Sequence, residues 1–310
     1  QVLLGQTFET TLELAPASLE ETVTVTGEAP LIDTSASTVG ANIDPSQMAE
    51  LPINGRNWMD LALLTPGARR NESGGFVQNR QGYSQTNVDG QQTTTNYHSG
   101  GDDEQPGFSR DAIQEFQVVA NRFDATQGRS SGMVVNAITK SGTNTFSGST
   151  GAYFRHDSLN SEDFVAKRVL SHQNQQASGT LRGPILRDRL HFFASYEYER
   201  EPSTYVYNAR GVFSIFNRDL EFDTTSKKWL GRLDYQVNSS TRLNFRFAGY
   251  DRLFYAGGGT TAHPINMGER GRVASQYNGG LTSVIGGTSV NELKGGATFY
   301  ERLDQSTAAT

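Results

Sequence analysis

His98, Asp102, Asp103 and Glu104 are the residues of this 310-residue chain that come nearest to a metal-ligand set. Imidazole and carboxylate are suitable donors, but no second histidine stands at ligand spacing, and the four lie in a Gly-rich polar stretch. They read as a solvated loop, and no metal is assigned. Gly257-Gly258-Gly259 is not followed by the Lys-Ser/Thr of a phosphate loop and opens no strand-to-helix turn, so it reads as a loop tip. His156, His172, His191 and His263 are scattered, without a Ser/Asp framework around them. No arrangement here supports covalent or acid–base catalysis. The sequence therefore predicts no enzyme, no catalytic residue and no cofactor.

The remaining chemistry is polar docking. Arg182, Arg187, Arg189, Arg232, Arg242 and Arg246 recur along one region. Where they share a strand face with Asp234, they can pair with carboxylates of a wet interior or simply solvate it. Composition narrows the partners. The net charge of −6 comes with no basic block, which argues against nucleic acid. Cysteine is absent, so disulfides and thiolate metal sites are excluded. Mean hydropathy is −0.53. No apolar run approaches the roughly 20 residues of a spanning helix. That test is blind to spanning strands, which turn only alternate residues toward lipid. Seventeen Phe, 12 Tyr and 33 Gly suit a β-rich chain with tight turns.

Three textures follow one another. Residues 1–15 read as a strand with apolar residues two apart, and 16–30 as a linker containing the β-prone Thr22–Thr26. In 31–144, Asp44-Pro45 starts a short helix ending near Leu51-Pro52, and Asn57 caps a second over Trp58–Leu64 that Pro66-Gly67 stops. Asn87-Val88-Asp89-Gly90 predicts a strand end and tight turn. Ser109 and Asp111 start a helical turn before a strand over Glu115–Ala120, and Met133–Thr139 is another strand. Both ends of the chain read as cut, with a signal peptide expected upstream.

From 145 onward the alternation is strict. Trp229, Gly231, Leu233, Tyr235 and Val237 oppose Lys228, Leu230, Arg232, Asp234 and Gln236. Leu243, Phe245, Phe247 and Gly249 oppose Arg242, Asn244 and Arg246. Leu190–Arg200 and Asn291–Tyr300 repeat the pattern, with weaker versions at Gln175–Pro184 and Gln276–Ile285. A soluble antiparallel sheet would also alternate. Three cues favour a membrane: strands well above the usual five or six residues, connections alternating between tight and long, and aromatics near strand ends. Asn238–Ser240 and Gly286-Gly287-Thr288 are tight, whereas Ser158–Asn174, Glu201–Thr225 and Leu253–Ser275 read as long polar loops. The aromatics are Tyr153, Phe154, Tyr196, Tyr198, Tyr250, Phe254, Phe299 and Tyr300, expected to form an interfacial girdle. About seven strands cannot close around a domain of the preceding size, since plugged lumens belong to barrels of roughly 22 strands. An open sheet with bare rows such as Leu243, Phe245 and Phe247 is expected.

Several segments resemble TonB-dependent outer-membrane receptors. Glu21-Thr22-Val23-Thr24-Val25-Thr26-Gly27 looks like a TonB box, an extended segment of the kind that adds a strand to a partner sheet. Leu51-Pro52-Ile53-Asn54-Gly55-Arg56-Asn57 with Leu61–Gly67 looks like the start of a plug, Asn87–Gly90 like its strand-turn, and Ile113–Val118 with Gly132–Asn144 like its end. The version is similar to Oar-like receptors, in which a carboxypeptidase-regulatory-like β-domain precedes the plug; residues 1–15 would be its last strand. The resemblance implies a mainly β fold, a small α+β plug (31–144) followed by an incomplete antiparallel transmembrane β-barrel (145–310). It implies Glu21, Thr22, Val23, Thr24, Val25 and Thr26 as TonB-interacting, and Leu51, Pro52, Asn54, Gly55, Arg56, Asp89 and Gly90 as plug-motif residues. The implied partners are TonB, outer-membrane lipid and an extracellular ligand, with large polymers such as glycans or peptides suggested by analogy. Ligand candidates fall within Asn71–Gly107, which lacks the ligand loops of siderophore and vitamin importers. The implied function is TonB-energised import; a surface adhesin or secretion-associated barrel without import is the alternative. A soluble β-rich binding module is the third reading, which membrane fractionation would test.

Overall fold

Asp44 folds the chain into its first helix by a reciprocal cap. Its carboxylate accepts from Gln47 N (2.8 Å) while the Gln47 side chain accepts from Asp44 N (3.0 Å). Pro45 then takes the first helical position of α1 (Pro45–Glu50). The computed structural model describes residues 39–53, 56–70, 76–77, 85–93, 107–120, 133–164, 166–208, 211–256, 267–286 and 288–306. The strand expected at 1–15, the segment Glu21–Thr26, Asn54, Gly55 and most of Asn71–Gly107 lie outside them, as do His98, Asp102–Glu104, Gly257–Gly259 and His263. Loss of the cap by Asp44→Ala is expected to cost about 1 kcal/mol, read as a lower melting temperature of the first sheet.

That sheet has five strands: β1 (Val39–Ile43), β4 (Gln85–Val88), β5 (Gln91–Gln92), β6 (Ile113–Ala120) and β7 (Met133–Thr139), with β2 (Arg69–Arg70) and β3 (Phe76–Val77) pairing separately. Its order is β1-β6-β7-β4-β5. β4 runs parallel to β7, and the other pairs are antiparallel. β6 and β7 are central, and consecutive apolar residues are buried in each, Val118 and Val119 in β6 and Met133, Val134 and Val135 in β7, as in strands covered on both faces. Phe116 is fully buried beneath Trp58, edge-on at 5.1 Å between centroids. Trp58–Leu64 is helical with Asn57 as its cap, as the sequence predicts, and its geometry is that of a 3₁₀ helix. Trp58, Leu61 and Ala62 are buried against the first sheet, and Thr65 N bonds to Ala62 O at 3.0 Å, the i to i+3 closure of such a turn.

The second sheet is a seven-stranded antiparallel meander: β8 (Ser147–His156), β9 (Gln173–Leu186), β10 (Leu190–Tyr207), β11 (Arg218–Asn238), β12 (Thr241–Ala256), β13 (Gly268–Ile285) and β14 (Ser289–Ser306). Strand order equals chain order, the sheet stays open, and β8 and β14 are its edges. The register aligns alternate residues into rows. One outward row is Leu190, Tyr235, Leu243, Leu281 and Leu293. Two rows higher come Ala194, Gly231, Phe247, Tyr277 and Ala297, then Tyr196, Trp229, Gly249, Ser275 and Phe299. Leu243 and Phe245 are 40% and 46% exposed, as bare lipid-facing rows should be. Tyr277 bridges Phe247 and Phe299, with ring centroids 5.0 and 6.2 Å away. Trp229 lies across Gly249; a Cβ there would stand 2.0 Å from its ring, so any larger residue would displace the indole.

The next outward row is Tyr198, Lys227, Asp251, Val273 and Glu301, where charge returns. From Leu243 to Asp251 a strand tilted by roughly 40° rises about 20 Å, close to the apolar band of an outer-membrane barrel. Beyond it the ladders continue. Glu201–Thr225 and Leu253–Ser275 are therefore not loops throughout, because β10 and β11 pair as far as Tyr207 and Arg218, and β12 and β13 as far as Ala256 and Gly268. Sequence alternation marks only where lipid stops, whereas backbone pairing persists with polar residues on both faces. Tyr153, Tyr250, Phe254 and Tyr300 are also not girdle residues: Tyr250 and Phe254, at 4% and 5% exposure, point inward, Tyr153 meets Arg56 of the first sheet, and Tyr300 shares the inward row of Tyr250 and Ala274.

Candidate functional site

The inward face of the meander meets the first sheet, and their contact is where polar side chains converge. Inward apolar residues Phe193, Leu230 and Ala248 join the core of the first sheet. Around them lie three polar contacts.

The first is built on the turn between β4 and β5. Asp89 and Gly90 both have positive φ, +50° and +82°, the paired left-handed geometry of a tight hairpin turn. This conformation aims the Asp89 carboxylate at two groups. Within its own sheet it accepts from Thr139 N (3.0 Å) and Thr139 Oγ1 (2.8 Å). Across the interface it pairs with Arg232 (3.5 Å) and Arg246 (3.4 Å). Arg246 donates to Gln91 Oε1 (2.9 Å), and Gln91 donates to Ala297 O and Thr298 Oγ1 of β14, each at 3.1 Å. Arg232 donates to Thr139 O and to both oxygens of Asp234, which also receives Arg242. The predicted pairing of inward arginines with Asp234 is present, and Asp89 adds a second carboxylate from the other sheet.

The second contact centres on Glu197, which is 1% exposed. A buried carboxylate needs a cation and donors to offset its lost hydration. Lys228 supplies the cation at 2.7 Å and Ser109 Oγ donates at 2.7 Å. Ser109 also caps the 3₁₀ turn Arg110–Ala112, accepting from Asp111 N. Gly107, just before it, lies so close to Tyr250 that a Cβ would stand 2.9 Å from the ring.

The third contact joins Arg56 to Asp111 (2.9 Å), with Ser178 of β9 donating to the same oxygen (2.7 Å) and Arg56 lying 3.9 Å over the Tyr153 ring. The neighbouring Arg110 faces the other way. It donates to Met48 O (2.6 Å) and Leu51 O (2.9 Å), satisfying carbonyls at the end of α1. Burial holds its guanidinium below its ordinary pKa; Arg56 adds to this and Asp111 opposes it. Arginine stays protonated regardless, so the carbonyls keep a charged donor.

Where the chain passes from one sheet to the other it is clasped. Asn144 donates to Asp188 (2.7 Å) and accepts from Asp188 N (2.8 Å), with His191 at 2.7 Å from the same amide oxygen. Gly142 lies flat on β10, where a Cβ would stand 2.5 Å from Phe192 O.

Of the residues singled out in the sequence, the structure brings Arg56, Asp89 and Gly90 to the interface. Leu51 serves as an acceptor for Arg110, and Pro52 is exposed. Arg187 and Arg189 lie in the β9–β10 turn, and Arg182 bonds Ser147 of β8 (2.8 Å). Ser109, Arg110, Glu197, Lys228 and Gln91 were not identifiable as partners. Their inward positions follow from alternation, but their pairings join residues far apart in sequence. Among the described residues there is no group of three or more His, Asp or Glu able to hold a metal.

Comparisons with known proteins agree with this arrangement. Residues 138–214 match the family model of the outer membrane beta barrel domain. The chain is 27% identical to the TonB-dependent transporter Oar of Myxococcus xanthus over 97% of this chain and 32% of that protein. It thus spans about a third of that relative. Among solved structures it resembles the outer membrane transporter YddB of Escherichia coli, with a TM-score of 0.65 and 12% identity over 84% of this chain and 38% of that one. The alcaligin outer membrane receptor FauA of Bordetella pertussis gives 0.64 and 11% over 88% and 41%. The ferric enterobactin receptor PfeA of Pseudomonas aeruginosa, as a double mutant, gives 0.62 and 15% over 80% and 38%. Sequence and fold are thus similar to those of TonB-dependent outer-membrane transporters and receptors, in which a plug is seated against barrel strands, the TonB-dependent transporter Oar among them.

Proposed function

We propose that this chain is the gate of a receptor that imports an extracellular ligand across the outer membrane with energy delivered through TonB. The observation that carries the reading is the seating of the plug by charge pairs and hydrogen bonds around Asp89, Glu197 and Asp111. Such contacts can be exchanged for water when the plug shifts, whereas a fully apolar seam would fuse it to the wall. Residues 1–15 belong to a preceding carboxypeptidase-regulatory-like domain, 16–30 to a linker, 31–144 to the plug and 145–310 to the barrel.

In this reading, ligand binds extracellular loops and outer plug apices within Asn71–Gly107. Glu21–Thr26 then becomes available in the periplasm and adds as a strand to TonB. Force on that segment rearranges the plug, and no covalent chemistry is needed. Deleting Glu21–Thr26 from the full-length receptor is expected to abolish uptake and crosslinking to TonB while leaving its amount in the outer membrane and its surface binding unchanged. Uptake at the normal rate after the deletion would refute that segment as the coupling site. Uptake independent of TonB, or none under any condition, would favour a surface adhesin or secretion-associated barrel.

A further inference from the structure

One inward row can be followed across all seven strands: Ser147, Arg182, Phe193, Arg232, Arg246, Asn278 and Gly296. It contains three arginines and no carboxylate. Arg232 and Arg246 stand directly opposite each other, an arrangement that like charges disfavour unless something compensates it. Arg232 has Asp234 on its own wall, but that carboxylate is shared with Arg242. Arg246 is 2% exposed, and every partner the described residues give its guanidinium belongs to the plug. These are Gln91 at 2.9 Å, Asp89 at 3.4 Å and the Phe108 ring at 5.4 Å. Its Nε and Nη1 find no hydrogen-bond acceptor among the described residues.

A buried guanidinium needs a carboxylate nearby, and an apolar pair would pack at least as stably. Here the balancing carboxylate sits on the part that moves. We propose that Asp89 and Gln91 occupy an anion seat, and that a plug shifting away leaves Arg232 and Arg246 as the wall's contact for an anionic ligand bearing carboxylate, phosphate or sulfate groups. The inference rests on the import reading, since it requires the plug to leave the seat. The passage then favours negative charge at this level, and the turn of the plug acts as a resident mimic of what passes.

The chain has no cysteine, which allows a direct test. Asn278 is 5% exposed and directly opposite Arg246. In a full-length receptor otherwise free of cysteine, the thiol introduced by N278C is probed in cells with sulfonatoethyl (anionic) and trimethylammonioethyl (cationic) methanethiosulfonate. Each rate is normalised to that of the unfolded protein. Labelling is expected only in energised cells containing TonB, with the anionic reagent favoured. Arg246→Gln is expected to lower the anionic-to-cationic ratio about tenfold, since one unit charge at roughly 6 Å in water acts oppositely on the two reagents. Arg246→Lys is expected to keep the preference and to show that the variants assemble. Energised labelling with a ratio that Arg246→Gln leaves unchanged, or one favouring the cation, overturns the anion seat while leaving import standing. Absence of energy-dependent labelling overturns the import reading and this inference with it.

Discussion

Asp89→Ala in the full-length receptor is expected to loosen the seated plug by about 3–5 kcal/mol, the range for removing one partner of a buried charge pair. Both guanidiniums lose a counter-charge, and Thr139 N and Oγ1 lose their acceptors at once. Alanine also strains a position at φ +50°, which asparagine tolerates. Asp89→Asn therefore separates the two contributions, because it keeps the turn and most hydrogen bonding but drops the charge. The readout is limited proteolysis of the purified receptor in detergent. Plug peptides of the alanine variant should be released markedly faster than wild type, the asparagine variant should fall between, and barrel peptides should be unaffected. Equal cleavage of wild type and both variants would mean that the turn does not hold the plug.

Phe116→Ala should have an effect of similar size by a different route. Phe116 is fully buried in the middle of the plug sheet, in edge contact with Trp58. Removing its ring leaves a cavity lined by Ile43, Trp58 and their neighbours and should destabilise the plug by about 3–5 kcal/mol. Because the barrel is held by its own ladders, calorimetry of the full-length receptor should show the plug transition moving to lower temperature while the barrel transition stays. A single transition that shifts as a whole would show instead that plug and barrel unfold as one unit.

Much of this architecture was legible before any coordinates. The alternation of Trp229–Val237 and Leu243–Gly249 gave the outward rows because a strand's side-chain period is two and lipid tolerates charge on neither row. Asp44-Pro45, Ser109 and Asn87–Gly90 gave the caps and the turn because these depend on local bonding alone. Three things were hidden. Strand ends beyond the apolar band carry no alternation, so β10–β13 run further than their patterns. Inward aromatics such as Tyr250 and Phe254 have the composition of a girdle and differ from one only in parity. The Ser109–Glu197 and Asp89–Arg246 pairings span long stretches of chain, and nothing in a single sequence couples their positions.

The clasp formed by Asn144, Asp188 and His191, with Gly142 flat on β10, fixes one end of the plug to the wall of its own barrel. If the plug shifts as the import reading requires, a plug held this way would swing and not depart. Its return is a unimolecular search over a short leash, at an effective concentration on the millimolar scale typical of short tethers. Even a weak seat at Asp89 then refills quickly. On the import reading proposed above, the passage would then spend little time ajar, and the outer membrane would keep its barrier between one cargo and the next.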